Sequence, residues 1–229
     1  MIYNKKTFAG GVISIVLFFA VLVIIFSPVF KGHNGLEYLD ALYNSISKGS
    51  AYYIPKVKED TDKLMGKSIN LSVSVNNPPM VEQISILFLK SGAKVEVADN
   101  KLKVSGDLGR ILGNCLMDAD SMYKNEGNSV AEKYGYNERQ VLYNWWTACG
   151  EMDKDLKRQK KFEEAKTVDL LRKKAVETSY NYYKIEPQKI GERLWVVIFS
   201  LIFYVVYTLW YGFAIMYLFE GWGLQLEDH

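Results

Sequence analysis

LWVVIFSLIFYVVYTLWYGFAIMYLF, residues 194–219, runs for twenty-six positions without an Asp, Glu, Lys, Arg or His. An α-helix rises about 1.5 Å per residue and the hydrocarbon core of a bilayer is about 30 Å thick. The run therefore predicts a membrane-crossing helix with length to spare for tilt or for reaching the headgroups. A second run, FAGGVISIVLFFAVLVIIFS at residues 8–27, is uncharged for twenty positions and also qualifies. Lys5 and Lys6 precede it, as they would in a secretory signal, but a signal core is only about 7–15 residues and ends at a small-x-small site. This one is longer and runs into Phe26-Ser27-Pro28-Val29-Phe30, which favours a retained anchor.

The expected fold class is an α+β membrane protein. Two transmembrane helices, N- and C-terminal, flank a small α+β sandwich and a long charged helix. The expected divisions are a tail (1–7), the first span (8–27), a juxtamembrane helical segment (28–68), a β-α-β-β-α domain (69–125), a helical stalk or packing region (126–193), the second span (194–219) and a short tail (220–229). Removing Lys5 and Lys6 from the 28 basic residues, and Glu220, Glu227 and Asp228 from the 26 acidic ones, leaves a net charge of only +3 between the spans. That balance gives no electrostatic case for nucleic acid. Lys5 and Lys6 beside the first span, against an acidic C-terminal tail, place both termini in the cytoplasm and the central domain outside. Lys184, Lys189 and Arg193 argue the other way, but long domains translocate largely regardless of charge. The membrane would be the inner, cytoplasmic one if the cell is bacterial.

Within the domain, Leu36, Leu39, Leu42, Tyr43 and Ile46 recur at helical spacing. Asn70 to Val75 alternates as a strand, and Asn76-Asn77-Pro78-Pro79 then opens a helix through Met80, Ile84, Leu87 and Leu89 that ends at Gly92. Val95 and Val97, a turn at Asp99-Asn100, and Leu102 and Val104 read as a hairpin with one buried face. Asp107 can cap a helix carrying Leu108, Ile111, Leu112, Cys115, Leu116 and Met122 on one side. From Asn137 to about Tyr183 the pattern is helical, with a thin apolar stripe along a strongly charged stretch and a candidate break at Gly150.

Chemistry is sparse. Two histidines, His33 and His229, lie outside both runs, which excludes a bis-His haem between the spans. No His, Cys, Asp or Glu grouping has metal-ligand spacing, and no glycine-rich loop with a lysine is present to cradle phosphate. The paired carboxylates Glu163-Glu164 and Asp118/Asp120 read as solvated helix faces. Cys115 and Cys149 are not a CxxC pair; they allow either a disulfide, if the domain is outside, or two unrelated buried thiols. No cofactor and no metal are expected, and no catalysis.

The second run carries ten aromatic residues, and Ser200, Tyr204, Tyr207, Thr208 and Tyr211 fall on one helical face. Five hydroxyls at depth predict contact with another helix, because lipid tails supply no hydrogen-bond partner. Gly10 and Ser14 form a small-xxx-small pair in the first run that permits close approach. The stripe could meet this chain's own first helix, a different membrane subunit or a copy of itself; a quinone or lipid against the aromatic face is a further alternative. The expected function is a non-enzymatic accessory subunit of a membrane protein assembly, embedded in the lipid bilayer, with other membrane subunits or its own copies as partners. Alternatives are a membrane-tethered sensory or ligand-binding domain, and an anchored enzyme with an unrecognised site.

Overall fold

The computed structural model describes residues 2–30, 32–75, 77–98 and 100–224. Asn76, Asp99 and the tail residues Glu227, Asp228 and His229, used above, lie outside the described residues. The chain is mostly helical, with one small three-stranded sheet, and it separates into two compact units: residues 1–49 with 187–229, and Ser50–Glu186.

The first unit holds two helices long and apolar enough to cross a membrane, α1 (Lys5–Phe26) and α10 (Ile190–Trp222). Asn4 caps α1 by accepting from the Lys6 and Thr7 amides, and Gly223, at φ 91°, ends α10 in the left-handed conformation that glycine tolerates. The two helices run antiparallel, since Phe8 lies beside Gly221 and Phe18 beside Tyr207. At 22 and 33 residues they span about 33 and about 50 Å. The excess length of α10 is flanked by α2 (Gly35–Ser50). Asn34 and Glu37 form a reciprocal cap at its start, the Glu37 amide donating to Asn34 Oδ1 and the Asn34 amide to Glu37 Oε2. Tyr43 Oη then meets Ser200 Oγ at 2.7 Å, and the Gln188 amide donates to the Ser45 carbonyl.

The second unit is built around β1 (Ser68–Ser74), β2 (Lys94–Ala98) and β3 (Lys101–Asp107), in the spatial order β1-β3-β2 with both pairings antiparallel. Alternation along the strands buries Ile69, Leu71, Val73, Leu102 and Val104 and exposes Ser68, Asn70, Lys101 and Lys103 on the opposite face. Helices α4 (Pro78–Lys90) and α5 (Leu108–Tyr123) pack on the sheet, α3 (Ile54–Asp62) packs against α5, and Asp107 caps α5 by accepting from the Arg110 amide. The remainder is α6 (Gly127–Tyr134), α7 (Glu138–Arg158), α8 (Phe162–Leu171), a π-helical turn at Arg172–Val176 and α9 (Glu177–Tyr182).

One hydrophobic cluster joins Leu71, Val104 and Leu112 to Trp145, Met152, Leu156, Val168 and Val176. Residues 126–186 thus share the core of the β-α-β-β-α segment: in the thin apolar stripe of the charged stretch Met152, Leu156, Ala165, Val168 and Leu171 are buried, and Phe162 is exposed. The stretch is not one helix. Gly150 stays inside α7, and the chain turns instead at Lys160, whose φ is 61°. Beyond it, Lys161 donates its amide to the Leu156 carbonyl and α8 begins.

α7 also closes one margin of the sheet. The Ser72 amide donates to Asp155 Oδ2 at 3.0 Å, and Gln159 Nε2 donates to the Asn70 carbonyl at 2.7 Å. Two side chains thereby occupy two of the outer hydrogen-bonding groups of β1, where a further strand would otherwise dock.

Candidate functional site in the paired apolar helices

Along α10 the less exposed positions include Ser200, Phe203, Tyr207, Trp210, Ala214, Leu218 and Gly221, spaced three and four apart. This seam faces α1. At its closed end no side chain fits between the backbones. A Cβ on Gly221 would lie 2.5 Å from Phe8 Cα, and one on Gly11 would lie 2.8 Å from the Leu218 amide nitrogen. Gly10, singled out from the sequence for close approach, points to open space, with nothing within 4 Å of a built Cβ. Close approach here is set by Gly11 and Gly221, one residue round the helix from the small-xxx-small pair.

Two polar bonds cross the seam at greater depth. Tyr207 Oη donates to the Phe18 carbonyl at 2.9 Å, its ring stacked on Phe18 with centroids 4.2 Å apart. Trp210 Nε1 donates to Ser14 Oγ at 2.8 Å. Trp210 belonged to no sequence-level site; its indole N–H in an uncharged run was the available signal, since a buried donor must find an acceptor.

The five hydroxyls predicted on one face do not act together. Ser200 and Tyr207 reach α2 and α1 respectively. Thr208 turns its hydroxyl onto the Tyr204 carbonyl of its own helix. Tyr204 is 70 % exposed and Tyr211 46 % exposed, and neither hydroxyl has a hydrogen-bond partner among the described residues. The stripe is about 100° wide and the seam covers only its edge, so Tyr204 faces outward from the pair, while Tyr211 lies at the flank with its ring 5.1 Å from that of Phe18 on α1 and its hydroxyl unbonded.

In the second unit the chemistry is inward. Asp118, expected on a solvated face, is only 3 % exposed. It accepts from Lys133 Nζ at 2.6 Å, Tyr134 Oη at 2.6 Å and Trp145 Nε1 at 2.8 Å. Asn114 extends the network, donating to Ser91 Oγ and Tyr134 Oη and accepting from Lys133. The helical period around Asp118 is ambiguous because its neighbours on that face include the small Ala119 and Cys115. The clue was downstream, in Tyr134 and Trp145, bulky groups whose polar tips need an acceptor when buried. Burial and the adjoining carboxylate push the Tyr134 phenol far above its ordinary range.

Cys115 on α5 and Cys149 on α7 are both fully buried, free, and side by side. Burial, then the hydrogen bond that the Cys115 thiol makes to the Cys149 side chain, holds it well above its usual pKa, so it is a poor nucleophile in the folded state. An open depression of about 420 Å³ lies over the polar sheet face, lined by Ser68, Asn70, Lys94, Ser105, Gln159 and Lys161 among others. Among the described residues no group of three or more His, Cys, Asp or Glu side chains could hold a metal ion. No family model matches the chain, and no curated protein or solved structure shows significant similarity to it.

Proposed function

We propose that the chain is a non-enzymatic subunit of a membrane protein assembly, anchored by α1 and α10 and docking a partner helix against Tyr204 and Tyr211. The observation that carries this reading is the pair of unpartnered phenols. Tyr207, between them on α10, bonds to Phe18, close to the middle of the twenty-residue run 8–27. Tyr204 and Tyr211 stand about 4.5 and 6 Å along the helix from that level. A phenol at such depth, facing hydrocarbon, lacks a hydrogen-bond partner unless another helix supplies one.

Three features support the membrane setting. Only 6 % of each helix's most apolar stretch is buried within the chain, whereas the core helix of a water-soluble protein is mostly covered. Aromatic side chains gather at both ends of the pair. Phe8 and Trp222 meet edge-on at 6.4 Å at one end, and Phe30 and Tyr38 stack at 5.6 Å near the other, with Trp195 and Phe199 exposed beside them. The run between Phe8 and Ser27 is about 30 Å long, matching a hydrocarbon core. Lys5 and Lys6 support a topology in which the end shared by the N-terminus of α1 and the C-terminus of α10 is cytoplasmic and residues 28–189 are extracytoplasmic.

The test is affinity purification of the full chain from native membranes in mild detergent, with identification of co-migrating proteins. A membrane subunit is expected to co-purify with the wild type and to be depleted in the Tyr204→Phe/Tyr211→Phe variant. A chain that purifies without another protein, or a double variant that retains its partner in full, refutes the reading.

A further inference from the structure

We propose that a second copy of this chain pairs with the free margin of β2, joining two three-stranded sheets into one sheet across a two-fold axis at Val95. The proposal rests on the Ser50–Glu186 unit and is independent of the helix-docking reading.

The two margins of the sheet are unlike. Asn70 and Ser72 turn their backbone groups away from β3, and α7 meets them with Gln159 and Asp155. Residues of odd number in β1 therefore bond β3. By the antiparallel register, Leu71 opposite Val104 and Val73 opposite Leu102, even residues of β3 bond β1 and odd residues bond β2. Lys103 is opposite Glu96 and Ser105 is opposite Lys94. Hence Lys94, Glu96 and Ala98 direct their amides and carbonyls to β3, and Val95 and Val97 direct theirs outward. Among the described residues nothing hydrogen-bonds the outward groups of Val95 and Val97. β2 contains no proline and no bulge to discourage an added strand.

The side chains select the occupant. Val97 is 60 % exposed although it lies on the apolar face of the sheet, and Leu89 of the adjoining α4 is 55 % exposed. On the other face, neither Lys94 nor Glu96 has an ion partner among the described residues. An antiparallel two-fold pairing centred on Val95 sets Lys94 opposite Glu96 of the second copy, and Glu96 opposite its Lys94. It also sets Val95 against Val95 on the apolar face; Val97 falls opposite Ala93, which is 7 % exposed and whose amide donates to the Phe88 carbonyl, so the register is selected by Val95 and the two charge pairs. The outward backbone groups of Val95 then face each other as a hydrogen-bonded pair. Centring on Lys94 or on Glu96 would place like charges opposite each other, and centring on Val97 would leave both charges unpaired. The strand is complementary to itself in one register.

The test uses the full chain in membranes. One tagged chain carries Lys94→Cys and a differently tagged chain carries Glu96→Cys; the two positions face each other as a non-hydrogen-bonded pair with Cα atoms about 4.5 Å apart, within disulfide reach. Mild oxidation is expected to give a cross-linked dimer carrying both tags, at much lower yield when either variant is expressed alone. Adding Val97→Pro to both chains should abolish it, because that amide is not used within the chain's own sheet and its loss affects only the added strand. In detergent, Lys94→Glu or Glu96→Lys alone should weaken self-association about five- to tenfold, and the two together in one chain should restore it. Absence of the mixed cross-link, equal cross-linking of every combination, or failure of the double reversal to restore self-association overturns the proposal. None of these outcomes bears on Tyr204 and Tyr211, so the two readings fail separately.

Discussion

Replacing Asp118 by alanine removes one acceptor group from three donors at once. Lys133 Nζ retains Asn114 Oδ1 at 2.7 Å, and its side chain is 30 % exposed, so it loses least. Trp145 is fully buried and Tyr134 is 6 % exposed, and neither can turn to water. Each buried donor left without an acceptor costs about 1–3 kcal/mol, and truncation also leaves a small void. The expected loss is about 3–4 kcal/mol, partly offset where Asn114 repacks against Tyr134. Asp118→Asn should cost only about 1–2 kcal/mol, since an amide oxygen in the place of Oδ2 still accepts from Tyr134 and Trp145. The measurement is urea unfolding of the full chain in mild detergent, read by near-UV circular dichroism and by hydrogen exchange of β3 amides. For a unit of this size the alanine variant should melt roughly 10–15 °C below wild type. If the two variants lose the same stability, or if Asp118→Ala costs less than about 1 kcal/mol, the network does not hold the core as argued.

Gly221→Leu and Gly11→Leu should separate α1 from α10, whereas Gly10→Leu should leave them paired, because its Cβ meets nothing within 4 Å; spin labels placed on the two helices would report the distance change. Asp155→Ala should release the Ser72 amide and lower stability by about 1–3 kcal/mol, with faster exchange at Ser72 as the local signature. Burial raises Tyr136 and Tyr123 to about 12 in the folded state, against 10.0 for an ordinary phenol. Their contribution is therefore fully present below pH 10 and is lost as pH rises toward 12, by up to about 1.4 kcal/mol per pH unit for each group; denaturant titrations at pH 8, 10 and 11 should show this decline, and Tyr136→Phe should reduce it.

Much of the architecture was legible in one dimension because it depends on local periodicity. An uncharged run of twenty or more residues predicts a long apolar helix wherever it lies, and Phe8–Ser27 and Leu194–Phe219 became α1 and α10. Alternation at Leu102 and Val104, and the carboxylate of Asp107 before an apolar face, likewise foretold β3 and the cap of α5. Helix α6 falls within the helical region expected over residues 126–193 but is not delimited there as a separate element, being short and ended by Gly135 rather than marked by a clear stripe.

What periodicity could not determine was which of two chemically similar neighbours meets a distant residue. The sequence marked Gly10, but helix rotation puts Gly11 against Leu218. It aligned five hydroxyls on α10, but the position of α1 decides that Tyr207 is satisfied while Tyr204 and Tyr211 are not. It read Asp118 as solvated, but three donors from Lys133, Tyr134 and Trp145 converge on it across at least fifteen residues of chain. The hydroxyl stripe, the glycine pairs and the buried carboxylate are all residue types the sequence displays. Their partners come from elements remote in the chain, and only packing brings those into reach.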